Sequence, residues 1–134
     1  MVKTSQLLKI PKERVGALIG PEGKTKKYIE DSLSIDLKID SEAGDVTITL
    51  AGKAEDPSLF FRAKDVINAM GRGFSPEHAS RLIRNDDSVL DIIDLRTTLG
   101  RSESDIKRVK GRIIGRNGKT RRIIEERTET NLAV

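Results

Sequence analysis

Residues 107–122 read Lys-Arg-Val-Lys-Gly-Arg-Ile-Ile-Gly-Arg-Asn-Gly-Lys-Thr-Arg-Arg: eight cationic residues, no acidic one, and a Gly-x-x-Gly turn at the centre. Ile106, Val109 and Ile113 recur at helical spacing, which predicts a short amphipathic helix running into Gly115. The chain then turns through Arg116, Asn117 and Gly118 and enters a second helix at Lys119. Two glycines let the backbone turn tightly and let another molecule approach it closely. The second helix offers that molecule unpaired N–H groups, the positive end of its dipole, and the side chains of Lys119, Arg121 and Arg122. A phosphate fits this chemistry.

A single Gly-x-x-Gly arises by chance, and a Gly followed by Lys can simply end one helix and begin another. Here the pattern occurs twice. Residues 16–30 align without a gap on residues 111–125, an offset of 95. Glycines coincide at 16/111, 20/115 and 23/118, and Ile19/Ile114, Lys24/Lys119, Thr25/Thr120, Ile29/Ile124 and Glu30/Glu125 are identical. The chain contains an internal repeat, each copy one supersecondary unit.

Each copy resembles the core of a KH (K-homology) domain, in which a Gly-x-x-Gly loop clamps the backbone of about four single-stranded nucleotides. With the segments 73–83 and 90–95 between them, the pair resembles the archaeal members of the two-KH ribosome-assembly factors, similar in turn to the eukaryotic partner-of-Nob-one pre-rRNA processing family. The resemblance covers nearly the whole chain. It implies an RNA-binding protein without catalytic activity or cofactor, acting in rRNA processing in the cytoplasm. Similar proteins bind near the 3′ end of small-subunit rRNA and help present it to the Nob-one endonuclease. In archaea they contact the alpha subunit of an initiation factor.

Taken in order, the periodicities give an α+β chain. Residues 4–10, with Leu8 and Ile10 on one face, read as a strand ended by Pro11. Residues 14–19 form a helix, 20–23 the turn, and 24–33 a second helix with Tyr28, Ile29 and Leu33 facing inward. Alternation at Ile35, Leu37, Ile39 and at Val46, Ile48, Leu50 marks a hairpin around 41–44. Residues 57–70 form an amphipathic helix with Leu59, Phe60, Ala63, Val66, Ile67 and Met70 on its apolar side. Strand, helix, helix, strand, strand, helix is the order of a type I KH domain, a three-stranded sheet covered on one face by three helices. Ser75 and Pro76 start a linker helix to about Arg84, then come a turn at 85–87, a strand at 89–95, and a basic helix capped by Ser102 or Ser104. Residues 131–134 should begin the next strand. The organisation expected is a first KH domain over 1–72, a linker helix over 73–87, and a second KH domain over 88–134 that is truncated at its C-terminus.

Composition narrows the function classes. There is no cysteine and one histidine, His78, so disulfides, thiolate zinc sites and histidine-based triads find no support; His78 reads as a surface or packing residue. No apolar run approaches the roughly 20 residues that span a membrane, and a signal-peptide core is missing at the start. Residues 1–72 carry 12 cations against 11 acids, and residues 73–134 carry 13 against 10, so the excess positive charge gathers in the second repeat. Gly23-Lys24-Thr25 and Gly118-Lys119-Thr120 end like a P-loop, but the required earlier glycine is replaced by Leu18 and Ile113, which argues against nucleotide hydrolysis.

The two loops differ where binding is decided. The second offers Arg116 and Asn117, whereas Pro21 in the first removes an N–H donor and Glu22 places a carboxylate in the path of a phosphate. Asp40, Glu42 and Asp45 in the first hairpin add negative charge. The residues expected to meet RNA are therefore Arg112, Ile113, Gly115, Arg116, Asn117, Gly118, Lys119, Arg121 and Arg122. The weaker set is Gly20, Gly23, Lys24, Lys26 and Lys27. Aromatic residues make up only 3%, so bases would lie on an aliphatic floor of Ile113, Ile114, Ile123 and the following strand, without aromatic stacking. The alternative is a protein-interaction scaffold of a ribosome-assembly or translation-initiation complex, with little RNA affinity of its own.

Overall fold

The computed structural model describes residues 5–50 and 56–134. Thr4, expected as the first residue of the opening strand, lies outside them. The chain divides into two compact units between Leu90 and Asp91.

In the first unit, β1 (Ser5–Lys9) leads through Pro11 into α1 (Lys12–Ile19), a one-turn 3₁₀ helix (Pro21–Gly23) and α2 (Lys24–Leu33). The hairpin β2 (Ile35–Asp40) and β3 (Asp45–Leu50) follows, then α3 (Pro57–Gly71). The sheet is antiparallel in the order β1-β3-β2, with Leu8 opposite Val46 and Leu37 opposite Ile48. Alternation along the strands places Ile35, Leu37, Val46 and Ile48 on the covered face. There they meet Val15 and Leu18 of α1, Ile29 and Leu33 of α2, and Phe60, Ala63, Val66, Ile67 and Met70 of α3. The helix α3 begins where Asp56 caps it, its carboxylate accepting from Ser58 N–H at 2.9 Å, with Pro57 in the first turn. In the hairpin, Asp40 accepts from the N–H groups of Glu42 and Ala43 at 3.0 and 3.2 Å, which closes the loop tightly.

Tyr28 departs from expectation: it is 45% exposed, and its repeat counterpart Ile123 is 44% exposed. The helix α2 directs Ile29 and Leu33 at the sheet, which leaves Tyr28 on its flank. There Tyr28 borders a shallow pocket of about 260 Å³ with Val66, Met70, Pro76 and Ile83. The single helix expected from Ser75 to Arg84 is instead two short ones, α4 (Pro76–Ala79) and α5 (Arg81–Arg84). Ser75 does cap the first, accepting from His78 N–H at 3.2 Å. Ala79 and Leu82 are buried in the first unit's core. Ser80 between the two keeps right-handed helical angles (φ −65°, ψ −16°), so Ala79 and Leu82, three residues apart, share one face.

The second unit contains α6 (Leu95–Leu99), α7 (Glu103–Ile114), a one-turn 3₁₀ helix (Arg116–Gly118) and α8 (Lys119–Thr128). No strand forms at 89–95. A strand needs a neighbour to take its N–H and C=O groups, and none of the described residues provides one; Val89 and Ile93 stay 85% and 75% exposed. Asp94 also competes for the end of that segment, capping α6 through Arg96 N–H at 2.9 Å. Residues 131–134 are likewise irregular. Of the two candidate caps of the basic helix, Ser102 serves, its hydroxyl 3.4 Å from Asp105 N.

Candidate nucleic-acid interface

Both Gly-x-x-Gly turns adopt the same backbone. Gly20 has φ/ψ of 74/174° and Gly115 of 74/177°; Glu22 has 55/27° and Asn117 56/31°; Gly23 has 72/15° and Gly118 75/13°. The first conformation is open almost only to glycine. The middle one is left-handed, tolerated by Asn far better than by Glu. In both copies the first helix ends with the glycine amide bonded back four residues, Gly20 N to Gly16 O and Gly115 N to Gly111 O, each at 2.9 Å. The second helix restarts at once through the one-turn 3₁₀ helix, Gly23 N–H and Gly118 N–H donating to Gly20 O and Gly115 O at 3.1 and 3.3 Å, and Lys24 and Lys119 N–H to Pro21 O and Arg116 O. Thr25 and Thr120, identical in the repeat, press against Gly20 and Gly115 from the first turn of α2 and α8.

Around the second turn, Arg116, Lys119 and Arg122 are exposed and make no ion pair among the described residues. The Arg122 guanidinium lies over the last glycine, with Nη1 3.9 Å from where a Cβ of residue 118 would stand. Arg112 is exposed at the end of α7. Arg121 is directed elsewhere: its Nε is 3.7 Å from Glu125 Oε1, one helical turn on. Ile113 is half-buried, and Ile114 and Ile123 are 37% and 44% exposed, leaving apolar surface beside the turn. Arg116, Asn117, Gly118, Lys119 and Arg122 therefore converge on one loop, while Arg121 is held along the helix.

The first turn presents a different face. Pro21 has no N–H, Glu22 is exposed at the tip, and Lys26 is paired with Glu30 at 3.6 Å. Lys24 and Lys27 are exposed and make no ion pair among the described residues. Of the hairpin acids, Asp40 is bonded within its own loop and Asp45 Oδ1 lies 4.0 Å from Lys9 Nζ. The residues overlooked in the sequence are Glu30 and Glu125, which bond backbone rather than solvent. Their identity across the repeat was the available signal.

Among the described residues, no group of three or more His, Asp or Glu could hold a metal ion, and no helix is long and apolar enough to cross a membrane.

Residues 4–68 match the KH domain family, and residues 89–134 match the family described as eukaryotic type KH-domain (KH-domain type I). Over 98% of its length the chain is 46% identical to a KH domain-containing protein of Methanocaldococcus jannaschii, covering 57% of that protein. Over 93% of its length it is 24% identical to the pre-rRNA-processing protein pno1 of Schizosaccharomyces pombe, covering 52%. The chain thus spans little more than half the length of these curated relatives. Dim2p of Pyrococcus horikoshii has a similar structure, with a TM-score of 0.88 and 45% identity over 98% of this chain and 76% of that one. A structure of the a/eIF2alpha–aDim2p–rRNA complex from the same organism contains a chain with a TM-score of 0.89 and 45% identity, 98% of this chain covering 71% of it.

Proposed function

The chain belongs to the family of KH-domain proteins that includes PNO1 and archaeal Dim2p, and from that premise we propose that it binds single-stranded RNA at the 3′ region of small-subunit rRNA during ribosome assembly. Its two units act as tandem type I KH modules, and the Gly-x-x-Gly loop of the second carries the RNA affinity. The observation behind this reading is one backbone bearing two sets of side chains. With the dihedral angles of the two turns agreeing to within a few degrees, and with Lys24 and Lys27 standing where the second copy has Lys119 and Arg122, the difference in binding rests on Arg116 and Asn117 against Pro21 and Glu22.

In the mechanism proposed, the sugar–phosphate backbone passes over Gly115–Gly118, where amides at the head of α8 and the three unpaired cations neutralise it. Bases then lie on the aliphatic surface of Ile113, Ile114 and Ile123. The first unit, with a carboxylate at its loop tip, serves protein partners instead. The partners proposed are the initiation factor alpha subunit, named with rRNA in the Pyrococcus complex, and, from the sequence resemblance alone, a Nob-one-type endonuclease. The activity proposed is binding without a catalytic step, in the cytoplasm.

The test is titration of a short RNA matching the 3′ end of small-subunit rRNA at two salt concentrations. It compares the wild type with Arg116→Asp/Asn117→Asp and with Pro21→Asp. The first variant should lose affinity and flatten the salt response, which falls by a log–log slope of about 0.7 for each phosphate contact removed. Pro21→Asp should bind as wild type. If neither variant matters, the turns are structural and the scaffold reading replaces this one.

A further inference from the structure

Beyond the loops, the two copies share a second device. On α2, Glu30 divides its carboxylate between two neighbours: Oε1 is 3.6 Å from Lys26 Nζ, and Oε2 accepts from Leu37 N–H at 2.8 Å. On α8, Glu125 Oε1 is 3.7 Å from Arg121 Nε, and Oε2 accepts from Leu132 N–H at 3.0 Å. Both glutamate side chains are only 21% exposed. Both helices end in a left-handed residue, Ser34 at φ 53° and Glu129 at φ 55°. In the first unit Leu37 also sits in the β2–β3 ladder opposite Ile48, so the strand would keep its path without Glu30. In the second unit residues 129–134 join no ladder among the described residues, yet Leu132 N–H is held in the same way. Beside the 2.7 Å contact between the Thr128 and Thr130 hydroxyls, the carboxylate ties the chain leaving α8 back to that helix.

We propose that Glu125 is a positioning residue for RNA recognition. It ties the helix carrying Lys119 and Arg122 to the segment at Leu132, so that phosphate clamp and base-reading surface are held in one register. The inference rests on the second-unit reading above. Register matters because the cations and the segment at Leu132 lie on separate stretches of chain, and a shift of one against the other moves bases off their contacts while phosphates stay bound. Of the two bonds, the hydrogen bond is the effective one. The acceptor on Leu132 N–H sits at 3.0 Å on a side chain only 21% exposed, whereas the pair with Arg121, which is 46% exposed, is of the weak surface kind.

The test uses the full 134-residue chain with two RNAs, a ten-nucleotide strand matching the 3′ end of small-subunit rRNA and its scrambled isomer. The wild type should prefer the first. Glu125→Ala should lower that preference by about fivefold to tenfold, the effect of one hydrogen bond, with the salt slope unchanged because the phosphate contacts persist. Glu125→Gln, whose amide oxygen still accepts, and Arg121→Gln should both keep the preference. Hydrogen exchange at the Leu132 amide supplies a readout without RNA: faster in Glu125→Ala, unchanged in Glu125→Gln. A merely structural role would weaken both RNAs by the same factor in Glu125→Ala, and that result overturns the proposal. So does unaltered Leu132 exchange in Glu125→Ala, or equal affinity of the wild type for the two strands. Failure of the wild type to bind either RNA overturns the RNA reading itself, and this proposal with it.

Discussion

Thr120 lies so close to Gly115 that a Cβ built on the glycine would stand 2.7 Å from both the Thr120 Cβ and its amide nitrogen. Gly20 and Thr25 repeat the arrangement, at 2.7 and 2.9 Å. The positive φ of 74° at both glycines adds backbone strain of about 1–3 kcal/mol for any other residue. Gly115→Ala is therefore expected to abolish RNA binding with the first unit still folded, while Gly20→Ala should lower the urea midpoint of the first unit. RNA titration and circular dichroism check both; wild-type affinity in Gly115→Ala would remove the loop backbone from the mechanism.

Glu22 occupies the left-handed position that Asn117 fills in the other turn, at φ 55°. Glutamate pays there for a conformation that asparagine adopts readily. Glu22→Asn should raise the stability of the first unit by roughly 0.5–1 kcal/mol, seen as a higher denaturation midpoint at constant m-value. Combined with Pro21→Arg it recreates the second loop, and the prediction is a measurable gain of salt-dependent RNA affinity in the first unit.

Arg14 clamps the end of α3: Nε donates to Met70 O and Nη2 to Phe74 O, each at 2.7 Å. These carbonyls belong to a helix terminus and the turn after it, where a cation is favoured; Met70 O also accepts from Gly73 N–H at 3.2 Å. Arg14→Met should destabilise the first unit by about 1.5–3 kcal/mol. Arg14→Lys should recover only part of this, since an ammonium lacks the fork that reaches two carbonyls. Equal midpoints for wild type and Arg14→Met would show the clamp to be idle.

Two carboxylates of α3 and its cap should respond to pH in opposite senses. The hydroxyl and amide of Ser58 hold Asp56 below its ordinary value of 3.8. Its contribution is fully present above that value and is lost as pH falls through the depressed one. Burial pushes Asp65 above 3.8, with Lys64 opposing. Its charged form is disfavoured in the folded state, so its penalty is present at neutral pH and disappears as pH falls below 3.8. Asp65→Asn should thus raise the melting temperature at pH 7 with little effect at pH 3. Asp56→Asn should lower it at pH 7, with the difference shrinking in acid.

The repeat was the most legible part of the sequence, and the structure gives each shared residue a task. Gly20 and Gly115 take a backbone that excludes side chains, Thr25 and Thr120 press against them, and Glu30 and Glu125 reach the next segment's amide. Periodicity also placed the hairpin and the apolar side of α3 correctly. It failed at Tyr28, because a window of sequence cannot tell the centre of a helix's buried face from its flank. It failed again at residues 89–95, where none of the described residues supplies a strand beside the β-prone ones.

From the sequence alone follow the helix-turn-helix copies, the left-handed turns and the asymmetry of charge between them, because glycine spacing, local hydrogen bonding and side-chain identity act within a few residues. Tertiary structure decided what depends on partners distant in the chain. Arg14 is bonded to carbonyls 56 and 60 residues away. Residues 73–90 joined the first unit because Ala79 and Leu82 found apolar neighbours there. Such outcomes are set by which acceptor or apolar surface lies within reach after folding, and that distance is not written in the order of residues.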